Sequence, residues 1–157
     1  MVTQLVKLSG DHVADVGRLA LEQAAVVDLL GDITGHQTIA VFDESWHQGV
    51  IGIVASRLKD KFFRPTITFA PGGDDLIKGS GRSIPGFHLR DALDLVAKAQ
   101  PDLLHKFGGH AMAAGLTLNR TDFERFQAEF EQVARKLLTP DQLHKIIETD
   151  GALEAEY

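Results

Sequence analysis

PTITFAPGGDDLIKGSGRS, residues 65–83, opens on a β-branched run, breaks at proline, glycine and aspartate, and resumes at Leu76 and Ile77. Pro65–Phe69 reads as a strand, 71–75 (PGGDD) as a turn, and Leu76–Ser83 as the return strand of a hairpin. An antiparallel hairpin inside a chain that otherwise alternates helix and strand makes the sheet mixed.

Upstream, QTIAVF (37–42) is short and β-rich, a strand ending at Asp43 and Glu44. Gly49–Leu58 follows with Val50, Ile53, Val54 and Leu58 at helical spacing. Val13–Leu30 is rich in Ala, Leu and Val, with Asp11 before it and Gly31 after it, and predicts a further helix. Downstream, His88–Ala99 predicts a helix closed by Pro101, and Met112–Leu118 a strand. Thr121 opens an amphipathic helix through Phe123, Phe126, Phe130, Val133 and Leu137, with Thr121 and Glu124 spaced as a capping box. The fold class expected is α/β, a mixed β-sheet flanked by helices. After Pro140 the chain turns acidic and loses periodicity.

With 157 residues the chain suits one domain with a real core. No apolar run reaches the ~18 residues of a membrane span, and MVTQLVKLSGDHV lacks the basic-then-apolar order of a secretory signal. The absence of cysteine excludes disulfides, thiolate metal sites and a cysteine nucleophile, and fits a cytoplasmic protein. A net charge of −6 argues against wholesale wrapping of nucleic acid. The charge is uneven, though: Lys78–His110 holds five basic residues against three acidic, while 121–157 holds nine acidic against four basic. A local positive field can still hold one phosphate or a short strand; ordinary surface scatter is the alternative.

Three segments are candidates for chemistry. In ESWHQGVIG (44–52), Gly49 and Gly52 flank a helix start, where free N–H groups favour an anion, and His47 precedes the turn. Capping, or packing against Trp46, is the other role open to His47. In KGSGRSIPG (78–86), small residues surround Arg82, whose planar fork suits phosphate oxygens. Ser80 and Ser83 can add hydroxyl donors and Lys78 charge at the lip; a flexible glycine–serine hairpin is the alternative. In KFGGHAMAAG (106–115), Gly108 and Gly109 precede His110, either as a tight turn or as bare backbone that a ligand approaches. Gathered at one sheet edge, the three would form a basic, glycine-lined pocket. Neither a Walker loop nor a G-x-S-x-G elbow is present, and no D-H-H, H-x-H or H-E-x-x-H pattern supplies metal ligands. The chain is equipped to hold a phosphate and not to cleave one.

WHQGVIGIVASRL (46–58), GSGRSIPGFHLRDAL (79–93) and FGGHAMAAGLTL (107–118), in this order, closely resemble the RecJ family of single-strand-specific 5′→3′ DNA exonucleases. The likeness is to its DHH-associated domain, the second half of the catalytic core. GGH alone recurs through the DHH phosphoesterase superfamily and in a domain of alanyl-tRNA synthetases; GSGRSIPGF beside FGGHAMAAG is specific. The resemblance implies a mixed sheet flanked by helices facing a DHH domain that holds divalent metal, manganese or magnesium, with no metal expected in this chain. It implies that Arg82 and Ser80 grip a 5′-terminal phosphate, and that Gly108, Gly109 and His110 lie against the scissile nucleotide, with His110 catalytic. His47 and Gly49 would line the same cleft. Single-stranded DNA and the DHH domain of the same protein are the implied partners. The domain boundaries expected are 1–36 for the helix and linker from the DHH domain, 37–138 for the associated domain, and 139–157 for a tail or the start of an OB-fold segment. Two rivals remain: a DHH-superfamily phosphodiesterase of oligonucleotides or cyclic dinucleotides, and a non-catalytic binding module.

Overall fold

The computed structural model describes residues 35–139. The predicted helix Val13–Leu30 and the segment 140–157 lie outside the described residues. The chain runs β1 (Ile39–Phe42), α1 (Ile51–Phe62), β2 (Thr66–Gly73), β3 (Leu76–Arg82), α2 (Leu89–Ala99), β4 (Leu104–Gly109), β5 (Ala113–Asn119), a 3₁₀ turn (Arg120–Asp122) and α3 (Phe123–Leu137). One five-stranded sheet has the order β1-β2-β3-β5-β4. β1 and β2 are parallel and joined through α1, as a parallel pair requires; the other neighbours are antiparallel. The fold is α/β with a mixed sheet flanked by helices.

The opening stretch forms the expected hairpin, with a turn narrower than the sequence suggests. β2 continues to Gly73, and only Asp74 and Asp75 lie between the paired ends Gly73 and Leu76, with φ of 52° and 65°. Two consecutive positive φ angles give the hand of turn that matches strand twist. A register shift between Pro71 and Gly73 absorbs the proline, which has no N–H for the ladder.

Alternation along β3 decides what each face carries. Ile77, Gly79 and Gly81 are buried, while Lys78, Ser80 and Arg82 are half-buried on the opposite face. Gly79 is glycine for a packing reason: a Cβ there would lie 2.6 Å from the Phe69 ring. Under this inner face sit α2 and α3, with Phe69 edge-on to Phe123 and Phe126 at 5.4 and 5.6 Å. Phe126 stacks in turn on Phe130 at 5.4 Å. Both are fully buried, each worth about 1.5–3 kcal/mol in apolar transfer. A second cluster on the other face joins Ile39, Val41 and Ala70 to Val50 and to Ile51, Val54 and Leu58 of α1. That helix stops at Phe63, whose left-handed φ of 53° lets its N–H reach the Lys59 carbonyl at 2.7 Å.

Two local expectations are corrected. Thr121 and Glu124 form no capping box: Thr121 lies in the 3₁₀ turn, and the N-cap residue, Asp122, makes no side-chain bond to the helix's first N–H groups. Leu137 is 42% exposed, and Leu138, at 4%, closes the apolar face instead.

Candidate functional site

α1 packs over β2 and β3, and among the described residues the β5–β4 half of that face carries no helix. Cross-strand register lays out that half. Lys78 pairs with Thr117, Ser80 with Gly115, and Arg82 with Ala113; across the next ladder Thr117 pairs with Lys106 and Gly115 with Gly108. Paired residues share a face, so Arg82, Lys78 and Lys106 surround a floor of Ser80, Gly115, Gly108 and Ala113 with no carboxylate among them. Lys106, Gly108 and Gly115 are exposed. A shallow depression of about 190 Å³ is lined by Lys106, Gly108, Gly115 and Thr117 with Phe107 and Leu116.

The two glycines before His110 do different things. Gly109 has φ of 146°, and a Cβ there would fall 2.5 Å from both the Ala113 carbonyl oxygen and the Ala114 Cα. It is required by the backbone. Around Gly108 nothing lies within 4 Å of a Cβ position, so its missing side chain leaves open floor. Both glycines belong to β4, a strand the sequence reading missed; the turn proper is 110–112.

That turn is pinned. The His110 N–H donates to the Ala113 carbonyl at 2.8 Å, while the carbonyls of His110, Ala111 and Met112 accept from Arg90, Leu89 and Ser83. The first N–H groups of α2 are therefore spent on the turn and are not free for an anion. His110 itself is exposed at the end of the hairpin, beside the end of β3.

Arg82 turns back along the face. Its Nη1 donates to Ser80 Oγ at 3.1 Å and to the Gly81 carbonyl at 2.7 Å. Its Nη2 lies against the first turn of α1, 2.9 Å from where a Gly52 Cβ would stand. Among the described residues Nη2 and Nε have no hydrogen-bond partner, so only one side of the fork is engaged. Ser80 belongs with it. Ser83 does not: it is fully buried, and its Oγ donates to the Phe87 carbonyl at 2.6 Å, holding the 84–87 turn. Grouping Ser83 with the phosphate donors is thereby corrected.

His47 and Gly49 lie in the loop from β1 into α1, where His47 Nδ1 accepts the Gly49 N–H at 2.9 Å. The neighbouring Gln48 donates to the Pro71 carbonyl at 3.1 Å, at the end of the sheet away from Arg82's Cα. The three segments thus do not gather at one edge. The helix start and Arg82 meet on the sheet face, and the His110 turn stands at the edge where β3 ends. Sequence reasoning passed over Gly115 and Thr117, which period-two alternation in 113–119 could have placed opposite Ser80 and Lys78.

Among the described residues no three His, Asp or Glu side chains converge to hold a metal ion, and no helix is long and apolar enough to cross a membrane. The residues here do not fit a divalent metal.

The DHHA1 domain family matches residues 25–136. The single-stranded-DNA-specific exonuclease RecJ of Salmonella typhimurium is 52% identical over 117 residues, 74% of this chain and 20% of that protein. RecJ of Bacillus subtilis is 32% identical over 151 residues, 96% of this chain and 18% of that protein. The crystal structure of RecJ from Thermus thermophilus in complex with Mn²⁺ superposes with a TM-score of 0.63 at 33% identity, covering 82% of this chain and 19% of that one. The chain thus spans about a fifth of the length of these relatives.

Proposed function

Because this chain belongs to the DHHA1 domain family, we propose that its open half-face holds the 5′ end of single-stranded DNA for a 5′→3′ exonuclease. The observation that carries the reading is Arg82: braced by Ser80 and the Gly81 carbonyl through Nη1, with Nη2 and Nε left over beside the start of α1. A guanidinium fixed on one side and open on the other suits a terminal phosphate dianion, which accepts several charge-assisted bonds. From there the strand crosses Gly115 and Gly108, where no side chain stands between it and the peptide planes. Lys78 and Lys106 neutralise the following phosphates.

Holding the terminal phosphate sets where the strand stops, and hence the polarity and step of cleavage. His110, at the rim, places a ring N–H against the charge that develops on the scissile phosphate. The divalent metal belongs to a DHH domain of the same protein, which faces this half-face, and the isolated chain is inactive. Repair and recombination of DNA in the cytoplasm is the matching biological role.

The test uses the full-length protein on single-stranded DNA ending in a 5′-phosphate or a 5′-hydroxyl. Arg82→Ala should reduce kcat/KM on the phosphorylated end more than on the hydroxyl end. His110→Ala should lower kcat on both by roughly 100- to 1,000-fold, with an unchanged circular dichroism spectrum. Equal losses on both ends in Arg82→Ala, or full activity in His110→Ala, would overturn the assignment of these residues. Preference for very short oligonucleotides or cyclic dinucleotides would overturn the exonuclease reading in favour of the wider superfamily.

A further inference from the structure

α1 begins over the middle of the sheet, where Thr68 Oγ1 donates to the Ile51 carbonyl at 2.5 Å. Its second residue is Gly52. Glycine is the weakest ordinary helix former, so its use at this point asks for a reason. The backbone supplies none: positive φ among the described glycines is confined to Gly73, Gly86 and Gly109. Crowding by the sheet backbone does not supply one either, since the three nearest atoms to a Cβ at Gly52 all belong to two side chains of β3. These are Arg82 Nη2 at 2.9 Å, Ser80 Oγ at 3.4 Å and Arg82 Cζ at 3.7 Å.

We infer that Gly52 is a positioning residue for Arg82: the missing methyl is the space in which the guanidinium lies. The inference rests on the reading of Arg82 as the 5′-phosphate anchor and adds a determinant of end specificity to it. A methyl at residue 52 would meet the far end of a flexible side chain, so the fold can yield by swinging Arg82 outward. Nη1 would then part from Ser80 Oγ and the Gly81 carbonyl, and the fork would lose the brace that aims it. Displacing a binding group by about 1 Å can reduce rate by as much as ~100-fold. The same methyl favours the helix. Stability and end selectivity should therefore move in opposite directions, which a merely structural glycine would not do.

The experiment is a double-mutant cycle in the full-length protein, reading the ratio of kcat/KM on 5′-phosphorylated over 5′-hydroxyl single-stranded DNA. Gly52→Ala should lower that ratio roughly 10- to 100-fold while leaving the melting temperature equal or higher. In an Arg82→Ala background the same change should do nothing further, because its target is gone. A ligand-free readout accompanies it: in ¹⁵N-labelled chain, the Arg82 Nε–Hε resonance should shift in Gly52→Ala. A retained ratio with an unshifted resonance sinks the role of Gly52. A lowered melting temperature with equal loss on both DNA ends does the same, by making the glycine structural. If Arg82→Ala alone leaves the ratio unchanged, the phosphate-anchor reading fails first, whatever Gly52→Ala does.

Discussion

Substituting alanine at each of the adjacent glycines Gly108 and Gly109 gives a sharp contrast. At Gly109 the φ of 146° lies where L-residues are strained, at a cost of about 1–3 kcal/mol. The new methyl would also stand 2.5 Å from the Ala113 oxygen and 2.7 Å from the Ala114 Cβ. Neither can retreat cheaply, because Ala114 is buried in the main core and the Ala113 carbonyl accepts the His110 N–H. Overpacking of this kind adds about 1–3 kcal/mol. The sum, about 2–6 kcal/mol, is a large share of the ~5–15 kcal/mol that holds a domain together. Gly109→Ala should lower the melting temperature by on the order of 10–20 °C. Gly108→Ala meets nothing within 4 Å, and its stability should stay within about 0.5 kcal/mol of the parent. Urea and thermal unfolding followed by circular dichroism measure both. Losses of equal size, or a Gly109→Ala loss under about 1 kcal/mol, would refute the division of the pair into a backbone glycine and an open-floor glycine.

Ser83→Ala removes a buried bond to the Phe87 carbonyl and should cost about 1–3 kcal/mol without altering the preference for 5′-phosphate. Ser80→Ala should do the reverse, and unfolding curves beside end-selectivity kinetics separate the two. Asp75→Gly relieves a left-handed aspartate at the second turn position and should raise stability by about 0.5–1 kcal/mol, read as an upward shift in urea midpoint. Asp102 titrates below the ordinary carboxylate value, chiefly because Arg125 donates a hydrogen bond to it. A depressed folded pKa means its contribution is present above the unfolded value and lost as pH falls through the folded one. Carbon-13 titration of the Asp102 carboxyl should show an upward move in Arg125→Ala; no movement would remove the cause assigned to it.

Strands that bury one face announce themselves, and the one missed strand shows why. β2 was legible from its β-branched run, Thr66–Thr68, and β3 from the glycine–aspartate turn that returns the chain to Leu76 and Ile77. β4, LHKFGG, has no fully buried residue: Leu104 and Phe107 are half-buried and the other four positions exposed, at the edge of the described sheet. An edge strand gains its structure from the ladder to β5, and the ladder leaves no mark in composition. From composition its glycines read as a tight turn or as bare backbone, and not as a strand. The failed capping box has a related cause. Thr121 and Glu124 have the right spacing, but Arg120 is held from both sides, its N–H on the Asp75 carbonyl and its guanidinium on Glu44. Those tertiary bonds draw residues 120–122 into a 3₁₀ turn and move the helix start past the threonine.

The residue types of the candidate site are readable in the sequence, and the faces they occupy are not. Grouped by residue type alone, KGSGRS pools Ser80, Arg82 and Ser83 as equivalent donors. Read as a strand, it separates them, because Lys78, Ser80 and Arg82 fall on one face at period two, and Ser83 follows the strand's end and turns inward. Its glycines separate the same way. Gly79 and Gly81 face the core, where Phe69 and Leu89 occupy the space a Cβ would need, and so belong to packing. Gly108 and Gly115 lie on the opposite face, where a Cβ would meet nothing or only the Gly79 carbonyl at 3.6 Å, and Gly52 of α1 stands against the Arg82 guanidinium, so the core requires none of the three. A glycine-rich signature thus mixes two demands that only the register separates. Substitutions at the first set should be read out as stability, and at the second as binding. Gly79→Ala is the limiting case of the first: its methyl would sit 2.6 Å from the Phe69 ring, which Phe123 and Phe126 hold edge-on. It should cost about 1–3 kcal/mol of overpacking in urea unfolding, with the 5′-phosphate preference of the surviving folded protein unchanged. A loss of that preference at full stability would mean the two faces are not independent.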